Sequence, residues 1–365
     1  MKDETMMLSV VGLPEAVVTA AASLVPFEQL APSACVHDEP RLGHEGDVVI
    51  VAVSESNGYR PMAVQNATGR LVSLFPGSTL IGVLGMRQST GQVMGQVPTE
   101  VLERGSHLHL LSEGGVVGVA AAGSPQIALD LIGFLAYEGS PVNLSQWGAS
   151  PVAPCALPPV ILVGGTATGI GKTTLACRII HLLARDKTQR VASIMLSGSG
   201  GKADALAHRS AGAHFFHSFI EAGLYNSYGC SPERYVSLVD NLCYEIAEEE
   251  HPSVVVGEMG GDLLWGNNEV LLRRASFMRN VVCLFIVSHD TLGAFGATHV
   301  LRDWGVNAPL RYVVSWTQNH DALALRFKQL LRQDLVDPSD ERSLVRAIHH
   351  ARGRTRGPAM GEIHA

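Results

Sequence analysis

The stretch that decides the fold is Val163-Gly164-Gly165-Thr166-Ala167-Thr168-Gly169-Ile170-Gly171-Lys172-Thr173-Thr174. An apolar run at residues 159–163 leads into it and predicts a β-strand, and residues 174–183 predict a helix. Strand, glycine-rich turn, Gly-Lys-Thr and helix are the context of a phosphate-binding loop. In such a loop, backbone N–H groups and the positive end of the helix dipole form an anion site. The stretch therefore predicts binding of a nucleoside triphosphate.

Residues of this loop are predicted to take separate roles. Lys172 reaches the β- and γ-phosphates, and the hydroxyl of Thr173 ligates Mg²⁺. The remaining predicted nucleotide contacts are Gly165, Thr166, Thr168, Gly169, Ile170, Gly171 and Thr174. ATP and Mg²⁺ are the expected cofactors.

The loop departs from the plain motif, which places a glycine at the position of Thr166 instead of at Gly165. The spacing Gly-Thr-x-Thr-x-x-Gly-Lys-Thr resembles dethiobiotin synthetases, in the branch of P-loop NTPases that also holds the ParA/MinD and nitrogenase-iron-protein ATPases. It is also similar to the P-loop half of the DUF1611 family, to which D-glutamate N-acetyltransferases have been assigned. Ala167 stands where ParA/MinD ATPases carry a signature lysine and where dethiobiotin synthetases usually carry Asp. A dimer-sandwich ATPase of the ParA kind is therefore disfavoured.

Composition and charge narrow the class of protein. The chain has 365 residues, 46% hydrophobic and 17% charged, with a formal net charge of −7. This length predicts two domains with a large core, and the acidic balance argues against nucleic acid as the main partner. No apolar stretch is long enough to span a membrane, residues 1–4 do not begin a signal peptide, and the cysteines form no C-x-x-C pair. We expect a cytoplasmic protein with a small-molecule substrate, and a homodimer is left open.

The pattern along the chain predicts two domains, a linker and a tail. Residues 1–147 carry short apolar runs between turn residues, which indicates a smaller, strand-rich α/β domain with helices predicted near 14–18 and at 125–137. Residues 148–157, rich in proline and small residues, predict a linker. Residues 158–335 alternate apolar strands with helices, which is typical of a parallel-sheet α/β fold and here of a P-loop NTPase domain. Residues 336–365 predict a polar C-terminal tail.

The strand that ends in Gly257-Glu258-Met259-Gly260-Gly261-Asp262 is the second signal. An acid at this strand end of a P-loop enzyme holds Mg²⁺ directly or through water. The segment is similar to the Glu-Gly-x-Gly-Gly element of dethiobiotin synthetases. We predict Glu258 as the acid on the Mg²⁺ side and Asp262 as a substrate or metal contact. The alternative is that Glu258 only caps a turn.

The third signal follows the second predicted strand of the C-terminal domain, in Ser197-Gly198-Ser199-Gly200-Gly201-Lys202-Ala203-Asp204. Serine and glycine residues offer N–H groups to an anion, and Lys202 adds positive charge. The resemblance implies that this loop faces a second substrate, so Ser197, Ser199, Gly200 and Gly201 are predicted substrate contacts. Asp204 is predicted as a general base or Mg²⁺ ligand. The alternative is a flexible surface loop.

Four further residues complete the prediction. His208 is predicted to contact substrate, with ordinary packing as the alternative. Arg87, in a polar turn, either holds an anionic substrate or is solvated. Trp316 and Asn319 follow the last strand, where they are placed to stack on a base and bond its edge. The guanine motif Asn-Lys-x-Asp is absent there, which favours ATP over GTP.

These residues support three functions. The leading one is an ATP- and Mg²⁺-dependent ligase or kinase that transfers a phosphoryl group to a small-molecule carboxylate, carbamate or amine-derived substrate. The second is a DUF1611-like N-acyltransferase that binds coenzyme A at the P-loop. The third is an NTPase switch or metallochaperone.

Overall fold

The chain folds into two compact units. The computed structural model describes residues 7–8, 16–30, 34–56, 62–89, 93–123, 127–147, 152, 155, 157–314 and 320–352. The N-terminal unit comprises residues 1–150, 198–203 and 219–231, and the C-terminal unit comprises residues 151–197, 204–218 and 232–365. The first boundary falls within the segment predicted as a linker. Two short segments from the second half of the chain belong to the N-terminal unit, which the sequence did not predict.

The N-terminal unit is built from strands. They are β1 (Met7–Leu8), β2 (Ala16–Val18), β3 (Ala34–His37), β4 (Arg41–Leu42), β5 (Val48–Ser56), β6 (Met62–Gln65), β7 (Leu71–Leu74), β8 (Thr79–Leu84), β9 (Arg87–Gln88), β10 (Val93–Gln96), β11 (Val101–Leu102), β12 (His107–Leu110), β13 (Val116–Gly123), β14 (Ile127–Tyr137) and β15 (Ser140–Pro141). A short helix, α1 (Phe27–Leu30), and a 3₁₀ turn, Leu144–Trp147, accompany them. Within the described residues, β5, β8, β13, β12 and β14 pair in a closed ring that is antiparallel except between β8 and β13.

Strand β14 replaces the helix that was predicted at 125–137, so that prediction is wrong. Ile127, Leu129 and Leu131 are buried, whereas the residues between them are only partly buried. This period of two is the pattern of a strand with one face in the core. The helix predicted near 14–18 is also wrong over its described part, because β2 pairs in parallel with β8.

The C-terminal unit is a parallel sheet covered by helices. Its elements are β16 (Val160–Gly165), α2 (Lys172–Ala184), β17 (Val191–Ser197), α3 (Ala203–Ser210), β18 (Phe215–Ser218), α4 (Pro232–Tyr244) with a π-helical turn (Glu245–Glu250), β19 (Val254–Met259), α5 (Asn268–Arg273), α6 (Ala275–Met278), β20 (Val281–Ser288), α7 (Thr291–Asp303), β21 (Leu310–Val314), α8 (His320–Leu331) and α9 (Glu341–Arg352). Over the described ranges, six strands pair in the order β18-β17-β19-β16-β20-β21, every pair parallel. The α/β fold class with a strand-rich N-terminal part is confirmed.

Apolar burial explains why these elements assemble. Strands β16, β19 and β20 are buried along their whole length, as expected for a sheet covered on both faces. Helix α9 adds Leu344, Ala347 and Ile348 to the same core, and full burial of a Leu or Ile side chain contributes about 1.5–3 kcal/mol. The segment predicted as a polar tail from residue 336 therefore includes a packed helix, which corrects that prediction.

The register of the sheet brings several strand ends to one edge. Strands β16, β17 and β19 end at Gly165, Ser197 and Met259. Glu258, one residue before the end of β19, lies beside Val163 on one side and Met195 on the other. Because ligands of such sheets bind beyond the carboxyl ends of the strands, this edge is where a site is expected.

Candidate phosphate and metal site

The loop between β16 and α2 has the geometry of a phosphate-binding loop. Gly169 and Gly171 adopt left-handed conformations, with φ of 75° and 94°, which favour glycine. A Cβ on Gly165 would lie 2.8 Å from Cδ1 of Ile170, 3.0 Å from the carbonyl oxygen of Val287 and 3.1 Å from Cδ of Lys172. The early glycine is thus required by close packing of the loop. The side chain of Ile170 is buried in the core, so only its backbone is available to a ligand.

The first turn of α2 is open to an anion. Helix α2 begins after Gly171, and within the described chain no side chain caps it. The leading N–H groups of a helix have no partner inside the helix, so an uncapped N-terminus attracts negative charge. Thr174, on this first turn, is exposed.

Lys172 joins this loop to the turn after β19. Its side chain is buried, and its Nζ donates to the carbonyl oxygens of Ala167 and Gly261, each at 2.7 Å. Burial lowers the pKa of Lys172, while the nearby carboxylates of Glu258, Asp262 and Asp204 oppose that shift. The ammonium group is therefore fixed beside the phosphate-binding loop by neutral acceptors, which phosphate oxygens can replace.

Two carboxylates converge on the hydroxyl of Thr173. Its Oγ1 lies 2.8 Å from Oε1 of Glu258 and 3.1 Å from Oδ1 of Asp204. The pKa of Asp204 is raised, chiefly by desolvation and then by the neighbouring Glu258. Two partly desolvated acids beside a hydroxyl form an all-oxygen donor set. Mg²⁺ prefers such a set, one or two carboxylates completed by phosphates and water.

The set of Thr173, Glu258 and Asp204 offers only oxygen atoms, whereas zinc sites are built mainly from Cys and His side chains. In the part of the chain that the structure describes, no group of three or more His, Cys, Asp or Glu side chains is arranged to hold a metal. His214 directly precedes strand β18, and His217 lies within it. Nδ1 of His214 accepts from the N–H of Val191, and His217 pairs with Glu245. Both histidines have structural partners.

Glu258 is held from its other side by His208. Nε2 of His208 lies 3.0 Å from Oε2 of Glu258, and Nδ1 lies 2.6 Å from Oγ of Ser193. His208 is fully buried, which corrects its prediction as a substrate contact. Ser193 was not predicted as a site residue, because a serine inside an apolar strand gives no sequence signal.

The turn that follows Glu258 is organised by Asn268, another residue that the sequence did not predict. The buried side chain of Asn268 donates from Nδ2 to the carbonyl oxygens of Gly260, at 2.9 Å, and Asp262, at 2.7 Å. Its Oδ1 accepts from the hydroxyl of Ser197 at 2.6 Å. Ser197 is buried and committed to this contact, which corrects its prediction as a substrate ligand.

Asp262, predicted as a substrate or metal contact, lies in the same turn. Its Oδ1 accepts from the N–H of Leu264 at 2.9 Å. Desolvation raises the pKa of Asp262, whereas the Leu264 hydrogen bond and Lys172 lower it. The structure thus brings Asp262 into the electrostatic surroundings of Lys172, although not into the cluster around Thr173.

The predicted anion loop at 198–203 belongs to the N-terminal unit, and the N–H groups of residues 200–203 are hydrogen-bonded within it. The N–H groups of Gly200 and Gly201 donate to the carbonyls of Tyr225 and Ser199, each at 2.7 Å. Those of Lys202 and Ala203 donate to Oε1 of Gln65, at 2.7 and 3.1 Å. The prediction that Gly200, Gly201 and Lys202 present unblocked N–H groups is therefore wrong.

Three predicted site residues remain, and of these the structure describes Arg87. Arg87 lies in β9 and donates to the carbonyl of Leu111, and burial lowers its pKa. It is a partly buried structural arginine rather than a residue of a solvated turn. Trp316 and Asn319 lie outside the described residues.

A groove of about 650 Å³ adjoins the phosphate-binding loop within the C-terminal unit. Thr173 and Thr174 line it at the start of α2, followed by Cys177, Arg178 and His181. Its other walls come from α3 and the residue after it, and from α9 and the segment before it; they include Ala207, Ala211, Pro338, Ser339, Glu341 and Leu344. Its volume falls in the range of small-molecule sites.

Comparisons with known proteins give weak structural likenesses. No family model and no curated protein matches the chain. A plasmid partition protein from Borrelia burgdorferi bound to AMPPNP has 10% identity and a TM-score of 0.38, covering 53% of this chain and 99% of its own. The signal recognition particle receptor FtsY from Elizabethkingia anophelis, in complex with GDP, has 14% identity and a TM-score of 0.35, covering 55% and 66%. A ParA family ATPase from Chlorobium tepidum TLS has 13% identity and a TM-score of 0.34, covering 55% and 94%.

These TM-scores are all below 0.5, and the likenesses show nothing of the chemistry of the site. As to membranes, none of the helices in the described ranges is long and apolar enough to cross one.

Proposed function

We propose that the C-terminal unit binds a nucleoside triphosphate with Mg²⁺ and catalyses transfer of its terminal phosphoryl group. The observation that carries this proposal is the convergence of Glu258 and Asp204 on the hydroxyl of Thr173, directly after Lys172. Buried carboxylates are costly unless a cation compensates them, and Lys172 is already engaged with two carbonyls. A divalent cation that also binds phosphate oxygens satisfies this need.

Each residue has a defined part in this reaction. Lys172 exchanges the carbonyls of Ala167 and Gly261 for phosphate oxygens and neutralises their charge. Thr173, Glu258 and Asp204 would hold Mg²⁺, which would neutralise negative charge on the triphosphate. The N–H groups at the start of α2 orient the phosphates. Positioning and electrostatic stabilisation of this kind supply most of the rate in phosphoryl transfer.

We propose ATP as the nucleotide and the groove beside α2 as the place of its nucleoside. Thr174 belongs both to the first turn of α2 and to the wall of the groove, so a ligand on the phosphate-binding loop borders it. Ala211→Trp narrows the groove without touching the loop. It is expected to weaken binding of ATP but not of inorganic tripolyphosphate, as measured by calorimetry. Equal affinity of wild type and variant for ATP would place the nucleoside elsewhere.

The proposed acceptor is a small-molecule carboxylate, carbamate or amine-derived compound, as in a ligase or kinase. An NTPase switch, in which water is the acceptor, is favoured by a separate observation. Lys172 is hydrogen-bonded to Gly261, and Asn268 binds the carbonyls on both sides of Gly261. Phosphate binding by Lys172 therefore releases one of the turn's hydrogen bonds. An acyltransferase that only holds coenzyme A has less support, because it does not call for the carboxylate pair at Thr173.

One experiment separates these functions. The protein is incubated with ATP or GTP, Mg²⁺ and pooled amino acids or small carboxylates, and release of nucleoside diphosphate is followed. Release that depends on one metabolite supports the ligase or kinase, and slow metabolite-independent release supports the switch. No diphosphate with any pool, together with consumption of acetyl-CoA, would overturn the proposal in favour of the acyltransferase. EDTA is expected to abolish diphosphate release.

A further inference from the structure

A buried hydrogen-bonded chain lies behind the proposed metal ligands. It runs from Ser193 in β17 through His208 in α3 to Glu258 in β19, with contacts of 2.6 and 3.0 Å. Ser193 and His208 are fully buried, and Glu258 is 1% exposed. The ring of His208 also meets the edge of Phe216, with centroids 5.6 Å apart and planes at 65°.

The two carboxylate oxygens of Glu258 have different partners. Oε1 lies beside the Thr173 hydroxyl, and Oε2 lies beside Nε2 of His208. A buried carboxylate that loses one of these partners has no water to replace it. The contact with His208 therefore fixes the rotation of the carboxylate and keeps Oε1 on the side of Thr173.

The ring of His208 is itself fixed at its other nitrogen. A neutral ring with its proton on Nε2 donates to Oε2 of Glu258 and accepts the hydroxyl proton of Ser193 at Nδ1, so both contacts are satisfied without a buried charge on the ring. Contacts of this kind, behind the atoms that bind a metal, orient the ligands, and their loss typically costs about 10–100-fold in metal affinity or activity.

We propose that His208 is a positioning residue that orients Glu258 toward the metal and thereby sets the Mg²⁺ requirement of the triphosphate site. This inference rests on the proposed function. It assigns a specific effect on metal affinity to a histidine that is fully buried and therefore out of reach of any substrate. Loss of His208 is expected to lower metal affinity without lowering phosphate affinity, because the loop and Lys172 bind phosphate through other atoms. A general loss of stability would lower both affinities.

Three substitutions at His208 test the proposal. His208→Leu removes both contacts, His208→Gln keeps an N–H donor near the place of Nε2, and His208→Asn keeps a polar group near the place of Nδ1 only. His299→Gln, at an exposed histidine of α7, is the matched control. Two quantities are measured: Mn²⁺ affinity of the protein–nucleotide complex by electron paramagnetic resonance, and nucleotide affinity in EDTA.

We expect His208→Leu and His208→Asn to weaken Mn²⁺ binding by about 10–100-fold, and His208→Gln to stay within about threefold of wild type. Nucleotide affinity in EDTA is expected to be unchanged in all four variants. Ser193→Ala is a smaller change that removes the hydrogen-bond partner of Nδ1, and it is also expected to weaken Mn²⁺ binding. It tests the proposal independently if the leucine variant does not fold.

Three results overturn the inference. Unchanged Mn²⁺ affinity in His208→Leu and Ser193→Ala, in a protein that binds nucleotide and metal normally, refutes it while leaving the proposed function intact. Equal losses in the glutamine and leucine variants, with weakened binding in EDTA, show a merely structural role. If wild type binds neither nucleotide nor Mn²⁺, the proposed function fails, and the inference fails with it.

Discussion

Two glycine-rich loops of this chain look alike in sequence and differ in what their backbone does. Residues 165–172 and 198–202 both follow a parallel strand, both contain several glycines, and both end in lysine. In the first, among the residues that the structure describes, no side chain caps α2, and the Nζ of Lys172 donates to two carbonyl oxygens. In the second, N–H groups are taken by Gln65 and by backbone carbonyls. Glycine and lysine thus indicate an anion site only where the N–H groups lack protein acceptors.

The two lysines give the largest expected contrast. Lys172→Ala removes the charge beside the phosphate loop and is expected to reduce turnover by roughly 10²–10³-fold, the cost of removing one preorganised electrostatic group. Lys202→Ala is expected to leave nucleotide affinity and turnover within about threefold of wild type, since such changes outside a site are small. Turnover and calorimetric titration measure both, with exposed Lys187→Ala as control. Wild-type activity in Lys172→Ala would refute the assignment of the loop.

The next largest effect is expected at the two carboxylates beside the first loop. They distinguish a site for metal and phosphate from a loop that binds only an anion. Glu258→Gln and Asp204→Asn are each expected to raise the half-activating Mg²⁺ concentration by about 10–100-fold. Exposed Glu233→Gln is the matched control. Activity is titrated with Mg²⁺ at saturating nucleotide. An unchanged midpoint in both variants argues that these acids do not hold the metal.

Two glycines test whether each loop depends on close backbone packing. Gly165→Ala crowds Ile170, Val287 and Lys172, and overpacking costs about 1–3 kcal/mol, here expected mainly as roughly tenfold weaker nucleotide binding. Gly114→Ala places a Cβ 2.2 Å from the backbone carbon of Gly200. Gly114→Ala is expected to lower the free energy of unfolding and to leave nucleotide affinity unchanged.

Chemical denaturation and calorimetry measure the two effects. Gly296→Ala, with open space around the added Cβ, is the control. If Gly114→Ala is fully folded and still loses nucleotide affinity, the loop at 198–202 takes part in nucleotide binding, which contradicts the prediction.

Gln65 gives the smallest expected effect. Gln65→Leu leaves the N–H groups of Lys202 and Ala203 without their acceptor, which costs about 1–3 kcal/mol for a buried group and less where water enters. Urea denaturation measures the change, and exposed Gln146→Leu is the control. If the variant gains affinity for phosphate or a small carboxylate, the loop is an anion site that Gln65 blocks.

The sequence predicted the C-terminal fold well because its strands are continuous apolar runs. The predicted alternation of apolar strands and helices over residues 158–335 continues to its end, where strand β21 is followed by helix α8. It failed at β14, where a proline and a serine before an apolar run resemble a helix start. The alternation of Ile127, Leu129 and Leu131 was the better signal, and pairing with β5 and β12 decides it.

The site was predictable where a motif fixes the backbone and unpredictable where it depends on contacts between distant residues. Thr173 was predicted from the loop motif and Glu258 from the end of its strand, and the Oγ1 of Thr173 lies 2.8 Å from Oε1 of Glu258. His208 was assigned to substrate because polarity alone cannot distinguish a ligand contact from a buried bond to Glu258. Asn268 was missed because its three partners come together only in the folded turn.

The division of the N-terminal unit among three chain segments has a consequence for synthesis. Tyr225 packs in the core of that unit, and the N–H of Gly200 is bonded to its carbonyl. The unit is therefore incomplete until residues 219–231 have left the ribosome, after strands β16, β17 and β18 have been made. Domains usually fold in order as they emerge, N-terminal first. Here the first unit to emerge waits until three of the six strands of the second unit's sheet have been made, so the nascent chain is expected to need protection of its apolar strands.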